Sequence, residues 1–127
     1  MDWAEQTWIV ATCGRGCTGA LMGELRALGY APQEVSPTSV GLEGNLQDAM
    51  RLNLWLRTAN RVLFEVAGFE VDSADDLHAA VRELPWERWL RADTPFHVHG
   101  VAQHETIRDP RFAVLRCKDA IADRFVD

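Results

Sequence analysis

The sequence predicts an α+β protein, a ferredoxin-like βαββαβ domain over residues 1–71 followed by a partial α/β domain over residues 72–127. Three observations carry this. Apolar runs of β type and of helical type alternate in that order within about seventy residues. The second and third strands follow each other as a hairpin, which gives an antiparallel sheet rather than a doubly wound one. The rest of the chain supplies two helices and a single strand, too little to close a domain.

Trp8 to Thr12 is β-rich and apolar, as a buried strand requires. Cys17, Leu21, Leu25 and Leu28 recur at helical spacing, and Gly29 supplies a stop. Pro32 and Pro37 bracket a short second strand, and Val40 and Leu42 alternate with Gly41 and Glu43 in a third that closes on Gly44. Asn45 is an N-cap for a helix carrying Leu46, Ala49, Met50 and Leu54. Arg61 to Val71 reads as the fourth strand, with Val62, Phe64 and Val66 on one face. Ser73-Ala74-Asp75-Asp76 then reads as a capping box for a helix with Leu77, Ala80, Val81 and Leu84 inward, ended by Pro85. Trp86 and Trp89 follow one turn apart, and Phe96 to Val101 reads as a fifth strand. Asp109-Pro110 starts a last helix whose Val114, Cys117, Ile121 and Phe125 share a face.

Composition narrows the function classes. The chain has 127 residues, 47% hydrophobic, and no apolar run near the ~20 residues that span a bilayer. Met1-Asp2-Trp3-Ala4-Glu5 lacks the layout of a signal peptide, and three cysteines without a C-x-x-C pair fit reduced thiols. The expectation is a cytoplasmic protein with no membrane contact. The net charge of −6 opposes nucleic acid as a bulk field. Its distribution does not: residues 1–95 hold eight arginines against fourteen acids, whereas Arg108 to Lys118 holds four basic groups and one acid, Asp109. Arg111, Leu115 and Lys118 fall on one helical stripe, with Arg108 just before the helix start and Arg116 on another face.

Other motifs point elsewhere. Gly14-Arg15-Gly16-Cys17-Thr18-Gly19 is a literal G-x-G-x-x-G, but a dinucleotide site also needs an acid ending the next strand and a parallel crossover. Both are missing, so the glycines are read as tightening a turn. His97, His99, His104 and Glu105 resemble a metal-ligand set, yet a solvated strand face explains them as well and no metal site is predicted. Trp86 and Trp89 are read as core rather than as base-stacking groups. Cys13 and Cys17 lack an evident base, and no catalytic residue is assigned.

Three segments together resemble the N-terminal half of the THUMP-containing RNA guanine-N2 methyltransferases. In "ATCGRGCTGALMGELRALG", Arg15-Gly16, Leu21, Glu24-Leu25 and Leu28-Gly29 follow the family pattern, while Cys17-Thr18 stands where Leu-Glu is usual. "NLWLRTANRVLFEV" is close to the family's second helix and fourth strand. "TIRDPRFAVLRCKDAIADRF" is the most specific of the three. The resemblance implies a ferredoxin-like domain followed by a THUMP domain that lacks its last strands, together an RNA-docking module. It further implies a parent enzyme using S-adenosylmethionine, with ribosomal RNA preferred over transfer RNA and no cofactor in this chain. Arg108, Arg111 and Lys118, with Arg116 as a weaker member, are the implied RNA contacts. The competing expectation is a standalone ferredoxin-like module that binds a small ligand or a protein. A homodimer covering the core left open by the missing strands is a further expectation.

Overall fold

Four strands make one antiparallel sheet in the order β2-β3-β1-β4: β1 (Thr7–Thr12), β2 (Gln33–Ser36), β3 (Ser39–Gly44) and β4 (Arg61–Phe64). Helix α1 (Thr18–Ala27) joins β1 to β2, and α2 (Leu46–Trp55) joins β3 to β4, so each crossover skips one strand. This is the split βαβ arrangement of a ferredoxin-like domain. The computed structural model describes residues 5–101 and 109–126. It divides into two units, Asp2–Val66 and Ala67–Asp127.

The first unit is built on strand alternation. Ile9 and Ala11 of β1 and Val40 and Leu42 of β3 point to one side, where they meet Leu21 and Leu25 of α1 and Ala49 and Leu52 of α2. The large members are at most 1% exposed, so each contributes about 1.5–3 kcal/mol of transfer free energy. On the opposite sheet face the Trp8 indole lies across Gly41, where any Cβ would fall inside the ring. α1 ends in a Schellman motif: Gly29 adopts φ +97°, its N–H donates to Arg26, and the Tyr30 N–H donates to Leu25. α2 begins with a full capping box between Asn45 and Asp48.

Three expectations change here. α2 buries Ala49 and Leu52, whereas Met50 and Leu54 are 53% and 83% exposed. The stripe through Leu46, Met50 and Leu54 has helical spacing too, and packing against the sheet selects the one through Ala49 and Leu52. β4 stops at Phe64 rather than reaching Val71. Its register pairs Ile9 with Phe64, so β1, which begins at Thr7, has nothing to offer beyond Val66. Cys17 is exposed at the N-cap of α1 and not on the buried face.

The second unit packs α3 (Ala74–Glu83) against α4 (Pro110–Arg124), with a 3-10 turn at Trp86–Arg88 between them in sequence. Val81, Ala120 and Ile121 form its core, flanked by Leu77, Trp86, Leu90, Phe96, Val98, Cys117 and Phe125. The Trp86 indole N–H donates to the Val81 carbonyl at 2.6 Å and its ring meets Trp89 edge-on, which suits a packing role. Ser73 caps α3 by accepting from the Asp76 N–H. The box is not reciprocal, because the Asp76 carboxylate accepts from the Asp72 N–H instead. The expected fifth strand is not formed. Among the described residues 96–101 pair with no neighbour, and alternation serves only to bring Phe96 and Val98 onto the helices.

Candidate nucleic-acid interface

α4 begins where the sequence places it. The Asp109 carboxylate accepts from the Arg111 backbone N–H at 2.9 Å, and Pro110 takes the first helical position. That N–H, and then the Arg111 side chain, hold the Asp109 carboxyl below its ordinary range. Ala120 and Ile121 face the core, which turns Arg111, Leu115 and Lys118 outward as one stripe. The Arg111 side chain is 90% exposed and reaches Asp109 only at 3.4 Å. Lys118 is exposed and makes no ion pair with a described residue. Phe112 and Leu115 are half-exposed beside these two cations.

The other expected contacts are placed differently. Arg116 turns away from the stripe, and its guanidinium meets Asp75 of α3 at 3.1 Å with only 26% of the side chain exposed. Arg108 lies outside the described residues. Two further side-chain pairs, which periodicity did not flag, hold the unit together. Arg124 forks onto Glu87 at 2.8 and 3.0 Å, and also donates to the Arg82 and Glu83 carbonyls at the end of α3. His78 meets Asp123 at 2.8 Å. An arginine in the last turn of one helix, with an acid just past the end of another, is the only sequence trace of the first pair.

The alternative motifs acquire geometry as well. Gly14 to Cys17 is a turn closed by the Cys17 N–H on the Gly14 carbonyl, and only Gly16 has positive φ. The Glu34 carboxylate accepts from Thr18 in the first turn of α1, at 2.7 Å. A carboxylate already at that helix end opposes a pyrophosphate there. Burial first, then the neighbouring Cys17 and Glu34, raise the Cys13 thiol and keep it protonated. Burial likewise raises Cys117. The His97 and His99 rings sit 4.2 Å apart, while His104 and Glu105 lie outside the described residues. Among the described residues no helix is long and apolar enough to cross a membrane.

Residues 8–63 match the RlmL ferredoxin-like domain, and residues 71–127 match the THUMP domain. The fold and the two matches define the class: a ferredoxin-like domain followed in the same chain by a THUMP domain. The chain therefore carries an RlmL-type ferredoxin-like domain and a THUMP domain. It is 43% identical over 117 residues to the ribosomal RNA large subunit methyltransferase K/L of Syntrophotalea carbinolica, covering 91% of this chain and 16% of that protein. With the protein of the same name from Cellvibrio japonicus the identity is 40%, covering 89% and 15%. The chain thus spans about one sixth of the length of these relatives. Among solved structures it is similar to a predicted N6-adenine-specific DNA methylase from Listeria monocytogenes, with TM-score 0.81 and 34% identity, over 94% of this chain and 31% of that one. It is also similar to SMU.472, assigned as a methyltransferase and solved with SAH, with TM-score 0.81 and 28% identity over 98% and 32%.

Proposed function

We propose that this chain is the RNA-docking portion of a ribosomal RNA methyltransferase, built from a ferredoxin-like domain at 1–71 and part of a THUMP domain at 72–127. The observation that carries the proposal is the exposed stripe of α4 within the THUMP-matched region, where Lys118 makes no ion pair with a described residue and Arg111 is held only by an exposed contact to Asp109. Both cations reach solvent from a rigid helix, the arrangement that fixes a duplex or hairpin through its phosphates. Arg111 can take a phosphate through two N–H groups, and Lys118 about two turns along acts as a point charge. Arg108, which precedes the helix in sequence, is a third proposed contact. Arg116 acts indirectly, by holding α4 against α3.

In this reading the reaction belongs to the whole enzyme. S-adenosylmethionine supplies the methyl group, guanine N2 receives it, and this chain positions the RNA without touching the reacting atoms. The names of the curated relatives favour ribosomal over transfer RNA as the substrate, and a cytoplasmic location follows from that substrate. The net charge of −6 favours a second reading, a module that contacts protein, a second copy of itself included.

The test is binding of a large-subunit ribosomal RNA hairpin and a transfer RNA at low salt, with Arg111→Glu/Lys118→Glu as the variant. The expected result is binding that prefers the ribosomal hairpin and falls at least tenfold in the variant, with an unchanged melting profile. Equal affinity of variant and parent removes α4 as the contact. No binding by a folded parent chain favours the protein-contact reading, and sedimentation of the same sample then reports a dimer.

A further inference from the structure

The ferredoxin-like unit carries a second feature that the α4 stripe does not use. Residues 49–64 contain three arginines, Arg51, Arg57 and Arg61, and not one acid, in a chain with nineteen acids. The segment covers most of α2, the loop after it and β4. Trp55, in the last turn of α2, is 62% exposed. Tryptophan is seldom left in water without a use, since it brings the largest apolar face of any side chain. Arg57, Asn53, Asn60 and Arg61 are exposed around the same helix end, and Asn53, Asn60 and Arg61 line a shallow hollow beside Leu52 and Leu56.

The acids nearest this end are already engaged. Glu24 of α1 accepts from the Arg57 and Thr58 backbone N–H groups and from the Thr58 hydroxyl, and Asp48 is occupied by the Asn45 cap and the Tyr30 hydroxyl. Arg51 leans on Tyr30 and the Leu28 carbonyl. Arg57 and Arg61 make no ion pair with a described residue. Hydrogen bonds from neutral donors leave these carboxylate charges in place, so Arg51, Arg57 and Arg61 exceed Glu24 and Asp48 by one charge, and the loop is pinned from beneath by Glu24. An exposed aromatic face, free guanidinium groups and side-chain amides at one rigid helix end suit an unpaired nucleotide: base on indole, phosphate on arginine.

We propose that the C-terminal end of α2 is a second RNA contact, which takes an unpaired nucleotide on Trp55 and its phosphates on Arg57 and Arg61. The proposal rests on the RNA-docking reading and places part of the docking in the ferredoxin-like unit. Single-stranded and structured portions of one RNA would then be held by different units of the chain.

The experiment compares two ribosomal RNA hairpins, one blunt and one with a single-stranded extension, on the 127-residue chain and its variants Trp55→Ala, Trp55→Phe, Arg57→Ala/Arg61→Ala and Lys118→Glu. The parent is expected to bind the extended hairpin about tenfold more tightly than the blunt one, the scale of one stacked base. Trp55→Ala should erase that preference and Trp55→Phe retain most of it. Arg57→Ala/Arg61→Ala should lower the salt dependence for the extended hairpin alone, by about one to two in slope. Circular dichroism should match the parent throughout, because these side chains are exposed. If Lys118→Glu weakens binding while the preference survives Trp55→Ala, the α2 contact is overturned and the α4 reading stands. If the parent binds neither hairpin, the docking reading itself has failed, and this one with it.

Discussion

Glu24 shows how much of a family signature can be structural. Its carboxylate accepts from Arg57 N–H, Thr58 N–H and the Thr58 hydroxyl, so one side chain of α1 fixes the turn that leads from α2 into β4. The Thr58 hydroxyl lowers its pKa most, desolvation opposes that, and the Thr58 and Arg57 backbone N–H groups and the Arg57 charge add to the lowering. A carboxylate lowered by folding stabilises the fold above its unfolded value, near 4.3, and loses that contribution as pH falls through the folded one. Glu24→Gln should therefore cost about 1 kcal/mol at neutral pH, a modest figure because water screens the site. Urea midpoints should differ at pH 7 and converge as pH falls through the folded value. A difference that persists in strong acid would mean that shape, not charge, fixes the loop. The pairing of Glu24 with Arg57 and Thr58 also explains why two sequence segments, far apart in the chain, both follow the family pattern.

At the scale of elements, the sequence was most legible where a local rule and the tertiary environment agree. The caps at Asn45, Ser73 and Asp109, the stop at Gly29 and the alternation in β1 and β3 are local chemistry and appear as expected. The choice of buried face on α2 was not legible, because two stripes satisfy the helical period and only the sheet decides between them. The length of β4 depended on where its partner begins, and Phe96 to Val98 had strand alternation without a partner. The α4 stripe was visible from spacing alone. The division of its cations into solvent-facing Arg111 and Lys118 and the Asp75-bound Arg116 needed α3 in place. Arg124 belongs to the same lesson. Its guanidinium donates to two carbonyls at the α3 terminus and grips Glu87 as a fork. Arg124→Ala should lower the melting temperature by a few degrees. Arg111→Ala, which loses only an exposed contact to Asp109, should leave it unchanged. Equal melting of the two variants would sink this distinction between an arginine that holds helices together and one that faces solvent.

For the whole molecule the deciding quantity is the balance between a net charge of −6 and a few local cations. An acidic protein gains no general attraction to RNA, so any affinity must come from phosphates actually contacted. Each contacted phosphate releases counterions and adds about −0.7 to −0.9 to the slope of log K against log salt. Arg111, Lys118 and Arg108 together predict a slope of roughly −2 to −3 for a blunt ribosomal hairpin, much shallower than that of a basic nucleic-acid binder. Arg111→Ala/Lys118→Ala should reduce it to about −1, and the loss should be uniform across RNA sequences, because phosphate contacts position without reading bases. A slope near zero in the parent chain would remove the electrostatic docking on which the α4 assignment depends. A steep slope that survives the double variant would move the contact to another face. Under the docking proposal the acidic remainder of the surface keeps non-specific binding weak, so that binding would require phosphates presented in the geometry that the exposed helix can meet.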